Sequence, residues 1–109
     1  MMLLFVINGI KWDVVFCRAN SDDLRRSDGS MTVGVTDFNT RTVYLSEFLT
    51  GSFLRKVVAH ELVHCFMFSH NIHIPIEQEE FMADWVATYG EELIYLLDDF
   101  MRNVSYKIA

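Results

Sequence analysis

Residues 60 to 64 read His-Glu-Leu-Val-His, inside an apolar run from Phe53 to Phe68 that holds neither Gly nor Pro. On a helix, positions four apart lie one above the other on the same face, so His60 and His64 aim both imidazoles at one point. Two neutral imidazoles suit Zn²⁺, which activates a water, and the adjacent carboxylate of Glu61 takes that water's proton and later hands it to a leaving amine. This is the physical content of the H-E-x-x-H pattern. The bland alternative is a core helix that happens to carry two histidines.

A catalytic zinc takes three protein ligands and leaves one position open. Two readings supply the third. In one, Glu80 on the following helix binds the metal. Asp84, one turn further on, accepts a hydrogen bond from the second ring nitrogen of a ligating histidine and fixes its tautomer, with Phe81 and Trp85 packed beside the two acids. Against this, Glu77, Glu79 and Glu80 also read as first-turn acids of a solvated face, where the helix dipole favours them; Glu77 is the fallback ligand. In the other reading His70 is the ligand, because it falls at the last position of H-E-x-x-H-x-x-G-x-x-H. Met67 stands at the Gly position of that pattern, where a sharp turn needs positive φ. His70 and His73 otherwise sit in a loop lining the cleft, and with Tyr44 and Tyr89 they are candidate donors to a developing oxyanion.

The elements that must position these groups follow from periodicity. Leu54, Val57, Val58, Leu62, Cys65, Phe66 and Phe68 recur at helical spacing, which predicts a motif helix from Phe53 to about Ser69 with Ser52 as N-cap. Before it, Met1 to Ile7 and Ile10 to Phe16 form a hairpin about Asn8-Gly9, a type I′ signal. Arg18 to Ser30 is a polar loop with one helical turn around Leu24, and the Arg25-Arg26 pair reads as solvated. Met31 to Thr36 and Arg41 to Ser46 form a second hairpin or two neighbouring strands. After the motif helix, Asn71 to Ile76 connects to a helix over Glu77 to Tyr89 through Phe81, Trp85 and Thr88 or Tyr89. Gly90 is a stop or kink. A last helix spans Glu91 to about Asn103, with Leu93, Leu96, Leu97, Phe100 and Val104 inward.

Composition narrows the class. With 109 residues, 51% of them hydrophobic and 14% aromatic, the chain is expected to be one domain, 1–109, with its own core. The apolar stretch Met1 to Ile10 is broken by Asn8-Gly9 and lacks a basic start, so it reads as a buried strand and not as a signal or a membrane span. Cys17 and Cys65 form no C-x-x-C pair, which points to a reducing, cytoplasmic setting, with Cys65 a small core hydrophobe. A net charge of −6 with nine basic residues excludes a phosphate-tracking nucleic-acid surface.

The chain resembles the ImmA/IrrE-type metallo-endopeptidases, small zincins common in mobile elements and bacteriophages. The likeness rests on His60-Glu61-Leu62-Val63-His64, on Glu80-Phe81-Met82-Ala83-Asp84-Trp85-Val86-Ala87, and on the hairpin-like stretch Thr36 to Ser46; it covers roughly 33–90. It implies Glu80 as third ligand, Glu61 as general base, and the strand around Arg41 to Leu45 as the edge that holds substrate as an added antiparallel strand. The chain departs from the family in showing no helix-turn-helix and in reading Thr-Tyr-Gly-Glu-Glu after Ala87. Family members are known or suspected to cleave repressor-type regulators, and the substrate of this chain stays open.

These readings together give an α+β, minimal zincin-like fold, a small, mainly antiparallel sheet on the motif helix with two further helices. The expected activity is zinc-dependent hydrolysis of peptide bonds in an intracellular protein or peptide, with His60, His64 and Glu80 on Zn²⁺, Asp84 behind them, and neither nucleic acid nor membrane as partner. A catalytically silent zincin-like binding module and a metal-free helical interaction domain are the alternatives.

Overall fold

Strands β1 (Leu3–Ile7) and β2 (Ile10–Cys17) pair antiparallel about Asn8-Gly9, both of which take positive φ, 50° and 79°, as a type I′ turn requires. The structure is a computed structural model describing residues 3–108; Met1 and Met2, assigned by pattern to the first strand, lie outside the described residues. A 3-10 turn at Asp22–Leu24, capped by Ser21, occupies the polar loop and buries Leu24 completely, as the sequence suggests. Strands β3 (Gly34–Asp37) and β4 (Thr42–Ser46) then form the second hairpin, its turn held by Asp37 Oδ1 accepting from Asn39 N at 2.9 Å.

The sheet order is β1-β2-β4-β3, with β2 and β4 parallel. The sheet is therefore mixed: two of its pairings are antiparallel and the central one is parallel. Parallel neighbours need a long crossover, and residues 18–41, which include β3, supply it. This topology corrects one expectation. Strand β4, around Arg41 to Leu45, is hydrogen-bonded on both sides, so it is not an edge; the free edge on that side of the sheet belongs to β3.

Helix α1 (Gly51–Ser69) carries the motif and packs Val57, Glu61, His64 and Cys65 inward at one-turn spacing. It starts two residues before the expected Phe53. Thr50, not Ser52, stands at the N-cap, because Gly51 accepts a positive φ of 59° and turns the chain into the helix. At the other end, Asn8 Nδ2 donates to the Ser69 carbonyl at 3.0 Å, so the first hairpin's turn satisfies an orphan helix-terminal oxygen. Trp12 Nε1 donates to Ser69 Oγ at 2.8 Å, and the indole lies fully buried between Phe5 and Phe68. These contacts fix α1 over the sheet face formed by Ile7, Trp12, Val43 and Leu45. Trp12→Ala should lower the free energy of unfolding by about 3–5 kcal/mol, read from urea titration; a change below about 1 kcal/mol would show that the core does not depend on this ring.

Helix α2 (Ile76–Ile108) runs without interruption through Gly90, so the described residues hold two helices, not three. A helix interior tolerates Gly at a cost of about 1 kcal/mol against Ala, which neighbouring turns absorb. The face of α2 that meets α1 also differs from the one expected. Phe81, Trp85 and Tyr89 point outward, whereas Ala83 is fully buried and Ala87 and Gly90 lie half-buried on the same side. Small residues let the two helices approach closely. Arg55, near the start of α1, reaches Glu91 at 2.7 Å, so the last third of α2 runs past the end of its partner. Leu93, Leu96, Leu97 and Phe100, expected inward, are 50–66% exposed there. At about 1.5 Å per residue the helix is about 50 Å long and sets the 54 Å long axis of the molecule. Among the described residues no helix is long and apolar enough to cross a membrane.

Candidate metal centre and its cleft

Both motif histidines meet α2, and both are gripped at the same ring atom. His60 Nδ1 lies 2.9 Å from Asp84 Oδ1, and His64 Nδ1 lies 2.6 Å from Glu79 Oε2. A carboxylate at Nδ1 holds the proton there, which leaves each Nε2 with its lone pair. The two Nε2 atoms face each other at 3.4 Å, and Glu80 enters between them, Oε1 at 2.8 Å from His64 Nε2 and Oε2 at 3.4 Å from His60 Nε2. Ligand atoms of His60, His64 and Glu80 all fall within 4.8 Å of one another.

In that tautomer His60 Nε2, His64 Nε2 and a Glu80 oxygen are three electron-pair donors gathered where one cation could be shared; with the proton on Nε2 instead, His64 donates to Glu80 Oε1. Four carboxylates, from Glu61, Glu79, Glu80 and Asp84, line the same cleft together with Arg25, Arg26 and Lys56. Donors about 2.0–2.1 Å from a tetrahedral zinc lie about 3.3 Å from each other; the two Nε2 atoms, 3.4 Å apart, match that spacing, while Glu80 Oε1, 2.8 Å from His64 Nε2, sits at hydrogen-bond distance. A set of two imidazoles and one carboxylate is also the ligand chemistry that zinc accepts.

Glu61 faces the sheet. It is 6% exposed, and Thr36 Oγ1 on β3 donates to its Oε1 at 2.8 Å. The strand comes this close because residue 34 has no side chain: a Cβ on Gly34 would stand 2.9 Å from Val57 Cγ1 and 3.3 Å from Glu61 Cγ and Oε2. The three groups of the motif thus share one cleft of about 690 Å³, walled by α1, α2, β3 and the loop around Arg25 and Arg26.

The expected site residues Glu61, His60, His64, Glu80 and Asp84 all meet here. The three-histidine reading does not: His70 caps the end of α1, stacks on Phe66 at 5.9 Å and stays outside the cluster. The helix runs unbroken through Met67, so the sharp turn that would bring His70 back to the motif never forms. His73 pairs with Asn71 at 2.8 Å. Neither they nor Tyr44 and Tyr89 line the cleft, and the oxyanion donors proposed from sequence are therefore not placed to act there. Glu77 is exposed and outside the cluster. Cys65 lies beneath, fully buried, its thiol pushed up to about 12 by burial, so it packs as a hydrophobe.

Glu79 is the residue that sequence reading missed. It was expected on a solvated face, yet it is 9% exposed and holds His64. The available signal was its spacing: Glu79, Ala83, Ala87 and Gly90 trace one narrow stripe of mostly small residues, the stripe that meets α1. Glu79→Ala should weaken zinc binding by about 10–100-fold, measured by competition with a chromogenic chelator. Affinity within about twofold of wild type would remove Glu79 from any role in setting the His64 tautomer.

No protein-family model, curated protein or solved structure matches the chain.

Proposed function

We propose that the chain is a zinc-dependent peptidase of the ImmA/IrrE-like, minimal zincin kind, acting on a protein or peptide in a reducing cytoplasmic setting. The observation that carries this is the convergence of His60 Nε2, His64 Nε2 and a Glu80 oxygen, each histidine gripped from behind by a carboxylate, with Glu61 in the same cleft. A purely structural zinc site is closed by four protein ligands; this one offers three and opens onto a cleft.

His60, His64 and Glu80 would hold the ion, which when bound would lower the pKa of a water toward about 7 and polarise a carbonyl. Glu61 is the proton carrier. Thr36 occupies its Oε1, which leaves Oε2 to take the water's proton and return it to the departing amine. Asp84 and Glu79 keep both Nδ1 protons in place. The free edge of β3 supplies backbone groups to which an extended peptide can add as a further strand. The two cysteines are free, which suits a reducing compartment.

The test is zinc content per chain together with cleavage of a mixture of unstructured peptides followed by mass spectrometry. About one zinc per chain and cleavage that stops on chelation and returns with zinc would support the reading. Zinc-loaded protein that binds peptides and leaves them intact would favour a silent binding module. Protein that takes no zinc on reconstitution would overturn the metal centre itself.

A further inference from the structure

Positive charge is scarce in this chain, nine Lys and Arg against fifteen Asp and Glu, yet Arg25, Arg26 and Lys56 all line the cleft that holds Glu61. Their surroundings differ. Arg25 is tied into its own loop by Asp22 at 3.3 Å and the Gly29 carbonyl at 3.0 Å. Arg26 is exposed, with one Nη on Thr32 Oγ1 at 3.2 Å, and Lys56 is exposed with no hydrogen bond or ion pair among the described residues.

The acids of the cleft are already engaged. Asp28 is turned back onto Ser30, accepting from its backbone N at 2.9 Å and its hydroxyl at 2.6 Å. Glu61 holds Thr36, and Glu79, Glu80 and Asp84 hold the histidines. Asp28 feels the charge of Arg26 without contacting it, so Arg26 and Lys56 are the cleft cations with no carboxylate in ion-pair contact among the described residues.

Their position gives direction. Strand β3 runs the same way as α1: Gly34 lies against Val57, Thr36 against Glu61, and Phe38 stacks on Phe68 at 5.3 Å. Arg26 belongs to the loop that leads into β3, and Lys56 lies one turn before His60 on α1, so both stand at the Gly34 end of the cleft. A peptide adding antiparallel to β3, the more stable of the two pairings, passes the zinc ligands and then carries its C-terminal part to that end.

Resting on the peptidase reading, we infer that the cleft selects peptides with an Asp or Glu side chain on the C-terminal side of the scissile bond, received by Arg26 and Lys56. The exposed Phe53, one turn before Lys56, offers apolar surface to the methylenes of such a side chain.

The experiment uses zinc-loaded Glu61→Gln protein, so that binding is read without turnover, and fluorescent peptides of neutral sequence differing only in carrying Glu or Lys in their C-terminal half. The Glu peptide should bind about three- to tenfold tighter at low salt, the difference should shrink near about 0.5 M salt, and Lys56→Glu should erase or reverse it. Equal affinities, no measurable binding of either peptide, or the same preference when Glu is moved to the N-terminal half would overturn the inference. Cleavage by wild-type protein is followed in parallel. Preferential binding without cleavage keeps the acidic subsite and removes the peptidase reading; cleavage of both peptides with equal affinity and equal kcat/KM does the reverse.

Discussion

Glu61→Gln should keep about one zinc per chain and lose peptide hydrolysis by about 10²–10⁴-fold, the usual range for removing a positioned general base. The substitution is close to isosteric. The amide oxygen of the new side chain still accepts from Thr36 Oγ1, now at 2.8 Å from Glu61 Oε1, so the side chain keeps its place between β3 and α1. None of the three ligand atoms belongs to Glu61, and both Nδ1 partners are untouched. What disappears is the basic oxygen. Steady-state turnover of a fluorogenic peptide, with zinc measured in the same samples, reads both halves of this expectation. Retained turnover would remove Glu61 from the reaction, and lost zinc would mean that the carboxylate supports the metal and not the proton transfer.

The second large effect is on the metal. Glu80→Ala should leave less than about one zinc in ten chains after dialysis against dilute zinc, because loss of a ligand exceeds the about 10–100-fold that loss of an outer partner costs. The geometry sets the sign. With Glu80 gone, two imidazole nitrogens 3.4 Å apart remain, and the carboxylate 2.8 Å from His64 Nε2 no longer balances the ion's charge. The matched control is His70→Ala, which should keep full zinc since His70 stacks on Phe66 outside the cluster. Elemental analysis of the three proteins side by side decides it; zinc retained in Glu80→Ala would place the third ligand elsewhere, and zinc lost in His70→Ala would restore the three-histidine arrangement.

Much of the cluster of His60, His64, Glu80 and Asp84 was legible because helix geometry is rigid. Four-residue spacing put His60 and His64 on one face, and the same spacing paired Glu80 with Asp84 on the next helix. The Asn8-Gly9 turn was legible for a similar reason, since few dipeptides accept two positive φ values. Glu79 was not, because an acid in a first turn is favoured by the dipole whether it faces water or a histidine. The orientation of α2 was misread through its aromatics. Phe81, Trp85 and Tyr89 mark a helical stripe as strongly as core residues do, but the carboxylates reach α1 only where Ala83, Ala87 and Gly90 allow close approach. Gly90 reads locally as a stop or kink, yet it falls on the small-residue stripe facing α1 and the long helix simply continues through it. The parallel pairing of β2 with β4 depends on contacts across residues 18–41, which local pattern does not record.

The placement of the site's groups along the chain bears on how the site opens. His60, His64, Glu79, Glu80 and Asp84 all lie on one helical hairpin, joined by residues 70–75. Glu61 finds its Thr36 partner only where the β3-β4 hairpin docks on α1. On the peptidase reading, an ion bound to that helical hairpin would stabilise it independently of the sheet. Local opening of β3, an edge strand, would then free Glu61 from Thr36 while the cluster of His60, His64 and Glu80 stays closed. If the chain is the peptidase proposed, proteolysis or denaturant strong enough to free β3 alone would yield a species that still takes up zinc and has lost hydrolysis.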